Sequence, residues 1–72
     1  MRNLVEVVDQ VVQRVPRLAP SLAAVRESAK FAAPEMRQYF WDEFVSKLNQ
    51  LRSTLSADED RAVRAIVEGD DE

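Results

Sequence analysis

The sequence predicts an all-α fold, a small helical bundle of four helices in a single domain. Three observations support it. Apolar residues recur every three or four positions along most of the chain, which is the spacing of one helix face. The 72 residues include only one glycine and three prolines, too few for a turn-rich β protein. Residues that cap helices precede the periodic stretches.

The periodicity and the capping residues set the predicted boundaries. We expect helices at about residues 3–15, 21–32, 34–54 and 57–68. They form one domain over residues 1–69, followed by an acidic tail at 70–72. The expected core is made of Leu4, Val8, Val11, Val15, Leu22, Val25, Ala29, Met36, Phe40, Phe44, Leu48, Leu51, Val63, Ile66 and Val67.

The first helix needs the most justification, because its many valines favour strands. On a helical wheel the apolar residues of Leu4–Val15 fill one arc of about 160°. Alternation of period two would place Asp9 and Gln13 on the valine face. A helix therefore fits the pattern better, with Asn3 as its N-cap. Pro16 disfavours helical backbone in the residue before it, so the helix ends there.

Two prolines bound a short linker before the second helix. Either Ser21 caps that helix or Pro20 occupies its first turn. The apolar stripe of the helix is mostly alanine, and Phe31 points away from it. Ala33–Pro34 then forms a corner, since proline suits the first helical position.

The third helix, Pro34–Leu55, is the longest and the predicted central element of the bundle. It contains four of the five aromatic residues. The last helix begins with the capping box formed by Ser56 and Glu59. Gly69 is suited to end it.

Composition excludes several classes of function. There is no cysteine and no histidine, so thiolate zinc sites, disulfides and the usual general base are absent. The acidic groups Asp58–Asp60 and 70–72 have no metal-ligand spacing and are interpreted as capping and solvated residues. We expect no catalytic residue, no cofactor and no metal. No apolar run is long enough to span a membrane, and the lack of cysteine suits the cytoplasm.

The aromatic residues are the strongest functional feature. Tyr39, Phe40 and Trp41 are consecutive and span about 200° of a helix, so one core cannot receive all three. Phe31 also lies off its own stripe. These side chains either anchor a partner protein or fold over the Pro34 corner onto the core. The predicted partner-binding residues are Phe31, Tyr39 and Trp41, with Arg37 as a polar neighbour.

Self-association is predicted from the first helix. A row of valines with the spacing of a short coiled-coil seam consists of Val5, Val8, Val12 and Val15. A small domain without disulfides or metal often gains stability from oligomerisation. We therefore expect a homodimer, the alternative being an ordinary core helix in a monomer.

The leading functional hypothesis is a non-enzymatic protein–protein interaction module, an adaptor or inhibitor of a larger protein. One alternative is a DNA-binding regulator in which the second and third helices form a helix-turn-helix. Arg37 and Gln38 would then read bases, with Arg26 and Lys30 on phosphates. Glu35, Asp42 and Glu43 would repel the DNA backbone, and there is no basic stripe, so nucleic acid is not expected. A structural assembly subunit is the other alternative.

Overall fold

Four α-helices make up most of the computed structural model, which describes residues 3–69. They are α1 (Leu4–Arg14), α2 (Ala19–Lys30), α3 (Arg37–Leu51) and α4 (Ala57–Glu68). Short 3₁₀ turns stand at Pro16–Leu18, Pro34–Met36 and Arg52–Thr54. No strand occurs among the described residues, and the all-α prediction is confirmed. The predicted acidic tail, 70–72, lies outside them.

The caps of α1 and α4 are those that the sequence indicates. Asn3 Oδ1 accepts the N–H groups of Val5 at 2.9 Å and Glu6 at 3.4 Å. Ser56 Oγ accepts the N–H of Glu59 at 3.1 Å, and the Glu59 carboxylate accepts the N–H of Ser56 at 3.0 Å. Each bond satisfies a backbone donor that the first turn of a helix leaves unpaired.

The start of α2 resolves the two alternatives for its first turn. The helix begins at Ala19, so Pro20 lies in the first turn and Ser21 is not the cap. Proline is tolerated there because the N–H it lacks would have had no intrahelical acceptor. The preceding linker is itself a 3₁₀ turn, and it carries Leu18 into the core.

The predicted third helix is divided into three parts. Its first residues form a 3₁₀ turn in which the N–H of Met36 donates to Ala33 O at 2.9 Å. The tighter turn changes the angular position of the residues before α3. Met36, which the sequence placed in the core, is 39% exposed, so that assignment is wrong. Another 3₁₀ turn ends the segment, and α3 remains the longest helix.

The core is centred on α1. That helix contacts the other three, and α2 also packs on α3, whereas the backbones of α3 and α4 do not approach each other closely. Five of the ten buried apolar residues belong to α1 and its C-cap. The buried residues are Leu4, Val7, Val8, Val11, Val15, Leu18, Leu22, Phe44, Leu48 and Val63.

Most of the expected core is confirmed. Apart from Met36, every residue assigned to it is either buried or packed against the buried cluster. The expectation omitted Val7 and Leu18, which are 1% and 2% exposed.

Two arginines join elements that are far apart in the chain. Arg17 donates to both carboxylate oxygens of Glu59 and to the carbonyl of Thr54, each at 2.6 Å. Arg26 donates to Asp9 at 2.7 Å and connects α2 to α1.

Within residues 3–69 no helix has the length and apolar character needed to cross a bilayer.

Candidate protein-binding site

Three large apolar side chains are exposed where α2 gives way to α3. Phe31 is 78% exposed, Tyr39 is 54% exposed and Met36 is 39% exposed. No other large apolar residue in the described chain has comparable exposure. We call Phe31, Met36 and Tyr39 the apolar corner.

Phe31 is exposed because α2 ends there. It is the C-cap of the helix, with φ −108° and ψ 5°, and the chain turns away at the following residues. The ammonium of Lys30 lies 5.7 Å from the centroid of the Phe31 ring, within the range of a cation–π contact. Such a contact leaves most of the ring open to solvent.

Tyr39 packs against the ring of its neighbour Phe40. Its ring meets that of Phe40 edge-on, with centroids 5.0 Å apart and an interplanar angle of 79°. Phe40 is partly buried against the core, whereas more than half of the Tyr39 side chain faces solvent. Neither Phe31 nor Tyr39 is therefore a core residue.

A shallow groove between α2 and α3 extends from the apolar corner. It has a volume of about 540 Å³, and Tyr39 lines it opposite Ala24 and Ser28. Phe31 follows Ala24 and Ser28 at helical spacing, so it continues the α2 side of this groove. Helical spacing thus puts Phe31 on the face of α2 that lines this groove, and Tyr39 lines the groove from α3.

Trp41 lies elsewhere. It is partly buried, packs against the core, and its ring centroid is 5.8 Å from that of Phe44 at an angle of 59°. Residues two apart on a helix are separated by about 200°, which directs Trp41 away from the Tyr39 side of α3. Only a part of Trp41 is open to a partner.

Arg37 lines a separate cleft of about 250 Å³, bounded by the start of α1, the end of α2 and the start of α3. We call it the Arg37 cleft. Its lining residues are Asn3, Leu4, Val5, Ala29, Ala32, Ala33, Pro34, Arg37 and Phe40. Phe40 lines both this cleft and the α2–α3 groove, so its ring separates them.

Most arginines of the described chain are engaged by carboxylates. Arg17 lowers the pKa of Glu59 to about 2 through its hydrogen bonds, with a further contribution from the Ser56 backbone N–H. Arg26 likewise holds the pKa of Asp9 below its usual value, mainly by hydrogen bonding. Arg37, in contrast, has no carboxylate partner within residues 3–69.

A third groove separates α3 from α4. It has a volume of about 180 Å³, and its lining includes Val45, Leu48, Leu55, Val63 and Val67. The charges at its rim neutralise one another. Arg52 pairs with Asp60 at 3.2 Å and Arg64 pairs with Glu68 at 3.9 Å.

The valine row predicted for self-association is divided by the fold. Val8 and Val15 are 0% and 1% exposed, so both are core residues of the single chain. Val5 and Val12 are partly exposed and share one side of α1. Only these two retain area for a second copy, and self-association stays a prediction.

The groups expected to contact DNA are partly engaged within the chain. Gln38 donates to Asp42 at 3.0 Å, and Arg26 is bound to Asp9. These bonds would have to break or rearrange for the two side chains to reach bases or phosphates. Arg37 and Lys30 lack carboxylate partners among the described residues.

The sequence did not indicate Met36 as a surface residue, nor Val5 and Arg37 as neighbours in one cleft. Pro34 was a usable signal for Met36, because proline is common at the first position of a helix and 3₁₀ turns are frequent at helix N-termini. The cleft had no comparable signal, since it depends on how α1 meets α3.

Among residues 3–69, no cluster of three or more acidic side chains is placed to hold a metal ion. The chain matches no protein-family model, no curated protein and no solved structure.

Proposed function

We propose that this protein is a non-enzymatic interaction module, an adaptor or inhibitor that binds a larger protein through the apolar corner. The exposure of Phe31 and Tyr39 carries the proposal. Tyrosine is among the residues enriched at interface hot spots, and large aromatic rings supply much of the area that interfaces bury. A side chain of this kind contributes favourable binding free energy only when a partner covers it.

The area involved is sufficient to matter. A buried aromatic side chain covers roughly 200 Å², so the exposed parts of Phe31 and Tyr39 offer about 250 Å² together. At about 25 cal/mol per Å² this corresponds to roughly 6 kcal/mol before the costs of association are subtracted. Met36 adds a flexible side chain that adapts to irregular surfaces.

Arg37 and Trp41 have secondary roles in this proposal. Arg37 supplies a polar contact in the adjacent cleft, and Trp41 supplies only its exposed edge while its ring supports Phe44. A cytoplasmic location is part of the proposal, because a chain without cysteine needs no oxidising compartment.

The test is an affinity capture from cells of origin with mass spectrometry. The Phe31→Ser/Tyr39→Ser double variant should recover at least tenfold less of the specific partner than the wild type does. Gln50→Ser, a change at another exposed position on α3, should retain it. Circular dichroism verifies that all three proteins are folded. Undiminished recovery with a folded double variant would overturn the proposal.

Self-association belongs to the same proposal, with Val5 and Val12 as the contact residues. Sedimentation equilibrium over a hundredfold concentration range should show a monomer–dimer equilibrium. Val12→Glu should displace it towards the monomer. A mass that grows without limit would instead indicate an assembly subunit, and a constant monomer mass would remove the dimer.

A further inference from the structure

The Arg37 cleft has a mixed lining, in which several apolar side chains form an apolar floor beside polar surface and a single unpaired cation. Leu4, Ala29 and Phe40 belong to the core or pack against it, and Val5 and Ala32 are partly exposed beside them. Small alanines leave the space that a larger side chain would fill. The volume of about 250 Å³ is below the roughly 300–1,000 Å³ typical of sites for drug-sized molecules. The cleft therefore suits one or two side chains of a partner better than an enclosed small molecule.

Two polar groups face this floor. The guanidinium of Arg37 is exposed at the rim and has no carboxylate partner in the described chain. Glu35 stands two positions earlier and does not pair with it, as expected for residues that face different directions. The Oδ1 atom of Asn3 is occupied by the α1 cap. Asn3 lines the cleft, and its Nδ2 group has no acceptor within residues 3–69, so it can donate to a peptide carbonyl.

We infer that the Arg37 cleft binds a partner segment in which an apolar side chain stands next to a carboxylate, so that the partner is an acidic amphipathic peptide. The inference rests on the proposed function and specifies the chemistry of its partner. The apolar side chain occupies the floor formed by Leu4 and Phe40. The carboxylate accepts two N–H groups of Arg37, a geometry that planar guanidinium groups favour.

The unpaired charge of Arg37 distinguishes this cleft from the α3–α4 groove. In the α3–α4 groove each rim arginine already has its carboxylate, Arg52 with Asp60 and Arg64 with Glu68. A charged partner would gain little there. At the Arg37 cleft an acidic partner forms a new pair without breaking an existing one, and Lys30, also without a carboxylate partner in the described chain, lies next to the lining residues of α2.

The experiment is selection of a random 12-residue peptide library on the immobilised full-length chain. Selected peptides should be enriched in Asp or Glu beside Leu, Ile, Met or Phe. For a synthetic selected peptide, Arg37→Glu should weaken binding at least tenfold by fluorescence anisotropy. Arg14→Glu, the same charge change at the opposite end of α1, should alter it less than threefold. Arg14 is likewise exposed and unpaired within the described residues.

A peptide-side change completes the test. Replacing the peptide carboxylate by its amide should weaken binding to the wild type tenfold. Binding to Arg37→Glu should be almost unchanged. The inference is overturned if no peptide is enriched, if enrichment ignores acidic residues, or if Arg37→Glu leaves affinity unchanged. It is also overturned if a labelled DNA duplex at low salt binds more tightly than the peptides and this binding requires Arg37. That outcome would mean that Arg37 contacts DNA phosphate rather than a peptide carboxylate.

The inference and the proposed function fail separately. A cellular partner that requires Phe31 and Tyr39 but not Arg37 leaves the function standing and removes the acidic peptide. A library peptide that requires Arg37 supports the cleft even if no cellular partner depends on the apolar corner.

Discussion

Replacing Leu18 by alanine tests whether the 3₁₀ linker is part of the core. The side chain is 2% exposed, and the substitution removes three carbon atoms. At about 0.8 kcal/mol per buried methylene-sized group the transfer cost alone is about 2.4 kcal/mol. A cavity adds to this, and measured costs for such changes are about 2–5 kcal/mol. A 72-residue chain has a total stability of roughly 4–11 kcal/mol, so the loss is a large fraction.

Met36→Ala is the matched comparison, because it removes a similar volume from a residue that the periodicity had assigned to the core. Met36 is 39% exposed and is not among the side chains packed against the buried cluster. Its replacement should cost no more than about 1 kcal/mol. The two variants should thus differ by at least about 1 kcal/mol.

Urea denaturation followed by circular dichroism measures both, with Trp41 fluorescence as a second probe of the same transition. If Leu18→Ala does not fold, Leu18→Val gives a smaller cost in the same direction. The placement of both residues is refuted if Met36→Ala destabilises the protein more than the Leu18 variants do.

Three further predictions concern local features. The lowered pKa of Glu59, about 2, means that its bond to Arg17 stabilises the protein above pH 4.3, and this contribution is lost as the pH falls towards 2. Glu59→Gln keeps a residue type compatible with the capping box, so acid titrations of stability should show a smaller decrease over that window than in the wild type. Ser56→Ala should cost about 1 kcal/mol in thermal or urea unfolding, whereas Ser53→Ala, in the preceding 3₁₀ turn, should change stability by less than about 0.5 kcal/mol; equal effects would contradict the capping role. Phe31→Ser should change unfolding free energy by less than about 0.5 kcal/mol, because its ring is 78% exposed, and a larger loss would mean that the ring packs on the domain.

Helix ends and helix faces were the most predictable parts of this fold. Asn3 and Ser56 act on backbone groups within three residues, so their effect can be read without knowing the tertiary structure. The valine periodicity of α1 overrode the strand preference of the individual residues, because a whole buried face contributes more than local propensity. These signals are local, and the structure confirms them.

The structure differs from the sequence-based predictions where tertiary packing determines the position of a residue. Leu18 lies two residues after Pro16 in a segment with no periodicity, and its position is interior because this segment packs on α1 and α2. Met36 would continue the apolar stripe of α3 only if the α-helix began at Pro34. Because Pro34–Met36 is a 3₁₀ turn, Met36 does not lie on that stripe. The Arg37 cleft draws residues from three helices, so no window of sequence contains it.

The place of Val5 connects the two proposed interactions. It lines the Arg37 cleft and also lies on the side of α1 that holds Val12, about 10 Å away along the helix. A dimer formed through these two valines would cover part of the cleft. Peptide binding and self-association should therefore compete, since each occupies Val5. Adding a selected peptide should shift the sedimentation equilibrium towards the monomer, and Val12→Glu should bind the peptide at least as tightly as the wild type. A dimer that binds the peptide with undiminished affinity would show that its interface lies elsewhere, on a face of the molecule that the valine spacing did not predict.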